Sequence, residues 1–291
     1  MGLRLKFNLV LLAVFGLGLA VTAYLSHGLL QRNARDEVVR TAGLMMELAL
    51  ATRGYTVEQV GPQLELQLMR QFLPQSVPAY AATETLGQLR KKYPEYVYKE
   101  ATLNPTNPRD RAVEWEHDLI QEFRNKADLS ELSGERDTPT GRALYIARPI
   151  QIKNGACLTC HSIPAAAPAT MVKLYGPANG FGWKLNETVG AQVVSVPMSL
   201  PIRAAERTFA TFMTSLLAVF VVAFVVLNVM LSWLIIRPVS QMSRAADRVS
   251  TGDFSIPEFP EGSTRDEIAI LGKAFNRMRR SLQKALQMIE S

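Results

Sequence analysis

The sequence predicts a mixed α/β domain held between two membrane-spanning helices and followed by a pair of coiled-coil helices. Three observations carry that architecture. Two uncharged apolar runs, FNLVLLAVFGLGLAVTAY at 7–24 and FMTSLLAVFVVAFVVLNVMLSWLII at 212–236, are long enough to cross a bilayer as helices. The stretch between them alternates helical patterns with short β-rich runs. Beyond the second run, apolar residues recur at intervals of three and four from Ile268 to Ile289.

The 291 residues are 48% hydrophobic and carry a formal net charge of +6. Basic residues flank the apolar runs and populate the C-terminal fifth, with no aromatic-interleaved patch. The charge therefore reads as membrane-flanking, and no nucleic-acid partner is expected. Arg4 and Lys6 precede the first run, but Arg32, Arg35 and Arg40 follow it, so charge does not orient that span. Arg237, Arg244 and Arg248 follow the second run and favour a cytoplasmic C-terminus. The expected layout is a cytoplasmic N-terminus at 1–6, a span at 7–26, an extracytoplasmic domain at 27–208, a span at 209–236 and a cytoplasmic segment at 237–291. The first run is short and rich in small residues, which also fits a cleaved signal peptide.

Taken in order, residues 25–67 have helical periodicity, with an interruption expected at Arg53-Gly54-Tyr55 and a fresh start at Thr56. A two-proline loop at 72–79 leads to a polar helix at 82–92. Strands are expected at 96–101, 143–150 and 191–198, where β-formers concentrate. A helix at 112–125 would bury Val113, Leu119, Ile120 and Phe123. Turns are expected at 104–108 and 137–141, and a glycine-rich loop at 176–183. After the second span, Pro238 starts a helix that Gly252 ends. A linker covers 254–262, and Asp266-Glu267 opens the last helix.

Cys157-Leu158-Thr159-Cys160-His161 holds the only two cysteines and one of three histidines. C-x-x-C-H is the attachment signal for c-type haem. Two thiols three apart can each add to a vinyl group of one porphyrin, and the adjacent imidazole can bind its iron. A disulfide, a redox dithiol or half of a zinc site would also use C-x-x-C. Zinc needs further ligands, and there is no second Cys pair or His cluster. A thioredoxin-type dithiol would open a helix in a βαβ pattern, which is not visible.

Two helices joined by a short connector just inside a membrane, with Pro238 after the span and Glu267 opening the second helix, resemble a HAMP domain. That resemblance implies a parallel homodimer of four helices. The runs FLPQSVPAYAA, YKEATLNPTNPRDRA, ERDTPTGRALYIARPI, CLTCHS and LYGPANGFGWKLNETVGAQVVSVPM resemble a bacterial family of haem c-binding sensor domains, long labelled a domain of unknown function. It implies an α/β PAS-like extracytoplasmic domain, with Cys157 and Cys160 as the thioether residues and His161 as the proximal ligand. Some soluble relatives use an upstream cysteine as the distal ligand, and this chain has no third cysteine. Met45 and Met46 are the candidates in its place, since a thioether is an ordinary haem ligand. His117 is their rival, and methionines at helical spacing are also ordinary core filler. Arg53, Arg148 and Lys173 are candidate partners for the propionates, and Tyr175, Phe181 and Trp183 could wall the pocket.

The expected function is a membrane-bound haem c sensor of redox state or a diatomic gas, in the bacterial cytoplasmic membrane. It would pass haem state through HAMP to a separate output protein or to a domain outside this sequence, as in two-component systems. No catalytic residues are expected. The alternative is a membrane-anchored c-type cytochrome for electron transfer.

Overall fold

A computed structural model describes residues 2–260 and 266–290, the side chains of 289 and 290 excepted. The expected linker's last residues, 261–262, and the Ile289 side chain lie outside the described residues. The chain divides into two compact units, 27–208 and 1–26 with 209–291.

Helix α1 (Leu3–Tyr55) does not break at Arg53-Gly54. It runs through a wide π segment, Thr56–Val60, into α2 (Gly61–Leu68). A second π segment, Leu231–Ile236, joins α7 (Ser199–Met230) to α8 (Arg237–Ser250). Both π segments stand immediately before an X-Pro pair, Gly61-Pro62 and Arg237-Pro238. A proline ring collides with the carbonyl four residues back and offers it no N–H, and a widened turn relieves that conflict without ending the helix. Thus the interruption expected near Thr56 is a change of helical pitch.

Within 27–208 the remaining elements are α3 (Pro78–Lys92), β1 (Val97–Thr102), α4 (Glu114–Asn125), β2 (Leu132–Thr138), β3 (Gly141–Gln151), α5 (Leu158–His161), α6 (Ala169–Tyr175) and β4 (Thr188–Pro197). The strands form one antiparallel sheet in the order β1-β4-β3-β2. Strand β2 was not expected from the sequence. Its LSGERDT run has almost no apolar alternation, because it is an edge strand whose charges are met by other side chains, Glu135 by Arg35 and Arg142 at 2.9 Å and Arg136 by the Trp115 ring. Gly134 within it lets the Tyr145 ring cross, since a Cβ there would lie 2.7 Å from Tyr145 Oη.

The period of two sorts side chains onto two faces. Val194 and Val196 of β4, Leu144 and Ile146 of β3 and Tyr98 of β1 pack on α1 and α3 through Val38, Ala42, Met46, Ala49, Ala82 and Leu86. On the opposite face Ala101, Ala147, Ala191 and Val193 meet Leu119, Ile120 and Phe123 of α4. Each of those three α4 side chains is worth about 1.5–3 kcal/mol when buried. Val113, expected in that face, is 50% exposed because it precedes the first turn. There the Val113 N–H donates to the Glu116 carboxylate at 2.9 Å, satisfying one of the helix's orphan groups.

Two helical runs, Leu3–Leu68 and Ser199–Ser250, contain stretches apolar and long enough to cross a membrane. Leu9, Leu12, Val14, Leu17 and Val21 are among their outward-facing residues, as are Val221, Val222 and Val225. Helix α8 packs its Ala245 and Val249 with Ile256 of the connector and Phe275 of α9 (Glu267–Glu290). The fully buried Asn276 ties the connector down. Its amide donates to the Phe259 carbonyl at 2.8 Å and accepts from the Phe259 N–H at 3.0 Å.

Candidate functional site

The C-x-x-C-H run lies in the long excursion between β3 and β4. Two backbone bonds close its neck, from Ile152 N–H to Glu187 O at 2.9 Å and from Asn186 N–H to Ile152 O at 2.8 Å. Asn154 then accepts from Ala156 N–H at 2.9 Å and opens a 3-10 turn, Gly155–Cys157, which leads into α5. Helical spacing of three brings the two sulfurs to one face. Both cysteines are free thiols, Cys157 exposed and Cys160 half-buried. Burial raises the Cys160 thiol above its ordinary value, with the charge of Cys157 adding to the effect.

The His161 ring is fixed on several sides. Its Nδ1 lies 2.7 Å from the Gly180 carbonyl, so Nδ1 carries the proton and donates it. Nε2 is then left with its lone pair. Thr106 Oγ1 stands 3.5 Å from the same Nδ1, and the Trp183 indole stacks on the imidazole at 3.9 Å and 12°. Burial lowers the pKa of His161 and outweighs the opposing hydrogen bond to Gly180. A neutral imidazole with one nitrogen bonded to a carbonyl is the form in which histidine binds metals.

The glycine-rich loop builds this clamp. Gly182 N–H donates to Ser162 O at 2.8 Å and Trp183 N–H to His161 O at 3.2 Å. Asn104 holds the loop from the other side, donating to Phe181 O at 3.1 Å and accepting from Gly180 N–H at 3.2 Å. Gly180 has φ +83°, and a Cβ there would fall 2.1 Å from Thr106 Oγ1. Sequence reasoning marked 104–108 only as a turn or loop, and 176–183 as a glycine-rich loop whose Phe181 and Trp183 could wall a pocket; Trp183 indeed stacks on His161. The signal for their joint role was the glycine density beside a histidine motif.

The other candidates are distributed as follows. Arg53 donates to both Glu100 oxygens, at 2.6 and 2.5 Å. Tyr98 Oη donates to Glu100 at 2.8 Å and accepts from Gln192 at 3.3 Å. Arg53 and Tyr98 are thus joined through Glu100. Arg148 is held between Glu47 and Glu131 at 2.8 and 2.9 Å, an engagement that competes with a propionate role. Lys173 is exposed on α6. His117 is exposed on α4, with Gln121 Nε2 3.4 Å from its Nε2. Met45 and Met46 are buried in the apolar core on the α1 face, a cluster that includes no residue of the motif. Tyr175 packs edge-on to Phe72 at 6.2 Å.

The residues fit a covalently held haem. They present two reduced thiols on one helical face, followed by an imidazole whose free nitrogen is set by a carbonyl.

Asp110 sits beside this region in a 3-10 turn with its side chain 21% exposed. Burial pushes its carboxyl up to about 6, against the pull of Arg109 and with Glu100 adding to the rise. The folded acid thus holds its proton more tightly than the unfolded one. Its cost to stability is absent below the ordinary value of 3.8 and develops as pH rises through 6. Asp110→Asn should therefore raise folding stability at pH 8 by on the order of 2 kcal/mol, solvent screening of the partly exposed group included, and change little at pH 4. Thermal melts at both pH values check this.

Three comparisons bear on the chain. Residues 230–284 match the HAMP domain family. A protein of Acetivibrio thermocellus described as a sensory transducer is 34% identical over 83 residues, which is 28% of this chain. The chain spans 14% of that relative's length. The crystal structure of the cyanobacterial heme-protein Tll0287 aligns with 56% of this chain and 93% of its own, at 13% identity and a TM-score of 0.40. Residues 31–197, more than half of the sequence, match the Tll0287-like family. The chain belongs to the Tll0287-like family, with a HAMP domain following the family's domain.

Proposed function

We propose that this chain is a membrane-anchored haem c sensor that passes the state of an extracytoplasmic haem to a cytoplasmic HAMP domain. The observation that carries the reading is His161: its Nδ1 is committed to Gly180, and its Nε2 is left for iron directly after two free thiols. Cys157 and Cys160 would form the thioethers, and Trp183 and Thr106 would hold the imidazole plane. Arg53, like Arg148, is already held by carboxylates, so a propionate at either would have to displace Glu100 or Glu47 and Glu131. The namesake of the family is itself described as a heme-protein. When bound, haem supplies an iron whose charge and ligation change with redox state or with a diatomic gas.

The chain's own elements supply the relay. Helix α1 is one uninterrupted element from the first apolar run to Arg53, and β4 ends two residues before α7 begins. A shift at the haem face of α1 would thus act on the first span, and a shift of β4 on the second. The outward-facing apolar residues at 9–21 and 217–230 are what a bilayer would cover. In α9 the seam residues Leu271, Met278 and Leu282 are 49%, 48% and 44% exposed, a stripe that a second copy would bury as a parallel homodimer. Such a bundle is a two-state element of the kind signalling needs. Output would lie in a partner protein or a further domain, and the sensory-transducer relative supports a signalling role. An electron carrier would have no use for HAMP.

The test is disulfide cross-linking of single cysteines at Leu271, Met278 and Leu282 in membranes, under oxidising and reducing haem poise and with nitric oxide. A pattern that changes with haem state is expected. Cross-links between copies that ignore haem state would leave the electron-transfer cytochrome as the better reading.

A further inference from the structure

The face of the sheet that carries α4 is only partly covered. Beyond the first turn of α4, towards the β2–β3 turn, lies an open cleft of about 430 Å³. That is within the range of small-ligand pockets, roughly 300–1,000 Å³. Its floor includes Val97, Val193 and Pro197, side chains that point to this face by the strand alternation. Trp115 forms one side, and the Arg136 guanidinium covers its indole at 4.0 Å.

Charge decides the class of occupant. Four cations, Arg90, Lys99, Arg136 and Arg142, line the cleft against two carboxylates, Glu95 and Glu116. Glu116 is already neutralised, since it is buried and accepts from Lys99 at 2.6 Å. Arg142 is paired with Glu135 at 2.9 Å. Arg90 and Arg136 are in no ion pair among the described residues, which leaves two guanidinium forks over an apolar floor beside an indole. Against Glu95, the remaining carboxylate of the lining, that still leaves an excess of positive charge, which suits a flat apolar body bearing a carboxylate: the apolar floor takes the body, and a fork takes the anion through two parallel hydrogen bonds.

We propose that this cleft is a second binding site, for a small aromatic carboxylate. It is separate from the C-x-x-C-H site. The motif's neck joins the sheet at Thr188, whereas Pro197 of the cleft floor is at the far end of β4, about 30 Å along the strand. Pro197 is also two residues from the start of α7, so an occupant would touch the strand end that leads into the second apolar helix. The domain would then have two inputs, one at each end of β4.

The test uses the full haem-loaded chain in lipid nanodiscs and 4-fluorobenzoate observed by fluorine NMR, a readout that does not pass through HAMP or the haem spectrum. Line broadening that excess benzoate reverses is expected, with the uncharged benzamide at least tenfold weaker as a competitor. Arg136→Gln and, separately, the exposed Arg90→Gln should each weaken binding at least fivefold with unchanged circular dichroism. Absence of benzoate-reversible broadening would overturn the proposal, as would equal competition by benzamide or wild-type affinity in both variants. Loss of haem with retained fluorobenzoate binding would sink the haem reading and leave this one standing.

Discussion

Replacing Cys157 and Cys160 together by alanine should leave the chain with no covalently attached haem, if the proposed thioethers are its attachment. The expectation rests on bond chemistry. Each thiol would add across one vinyl group, its sulfur bonding to one carbon and its proton going to the other, so each cysteine would account for one thioether. These are the only cysteines in the sequence, so no other thiol can substitute. Expressed with c-type maturation factors, the wild-type chain should keep haem peroxidase staining after denaturing electrophoresis. Each single variant should keep it in reduced amount, and the double variant should keep none. His161→Ala should retain the stain and alter the visible spectrum, because it takes away an axial ligand and leaves both thioethers. Staining of the double variant at wild-type intensity would refute the covalent assignment. The effect is all-or-none because no packing or hydrogen bond in the excursion can replace a covalent bond once the chain is denatured.

The sequence made some of this legible and concealed the rest for physical reasons. The motif itself was readable because cysteine is so sparse here that two at helical spacing beside a histidine have few other meanings. Strands β1, β3 and β4 were readable because β-formers concentrate in them; the central β4 is almost wholly buried. Strand β2 was not, since this edge strand carries the polar residues of a loop. The continuity of α1 past Thr56 was hidden for a different reason. Gly54 and Pro62 are helix breakers by intrinsic preference, and only the π segment reveals how the chain absorbs them. The clamp on His161 was legible only in its nearer half, the glycine loop with Trp183: Gly180 is 19 residues from His161, whereas Thr106 is 55 residues before it and no local pattern links the two. The placement of the propionate candidates was likewise tertiary. Nothing near Arg148 in the chain announces that Glu47 will reach it from a helix 101 residues earlier.

Met46→Ala should destabilise the 27–208 unit by about 2–5 kcal/mol, the range for truncating a fully buried methionine. Met46 is 0% exposed and belongs to a cluster with Leu144, Ile146, Val194 and Val196. Met46→Leu keeps the volume and should cost under about 1.5 kcal/mol. The pair of variants separates packing from ligation. If the Met46 thioether bound iron, leucine would abolish the low-spin spectrum while sparing stability. If it is core, alanine lowers the denaturation midpoint and leucine leaves the spectrum as it was. Geometry favours the second outcome. Met46 lies in a cluster of apolar side chains from α1, α3 and the sheet that includes no residue of the C-x-x-C-H motif. A haem reaching the level of Met46 would also have to displace aliphatic side chains that already fill the space between α1 and the sheet, leaving their contacts unmade. Denaturant titration and reduced-minus-oxidised spectra on the same preparations measure both quantities. A lost low-spin spectrum in Met46→Leu at wild-type stability would show that loading the site rearranges this core and would make Met46 the distal ligand.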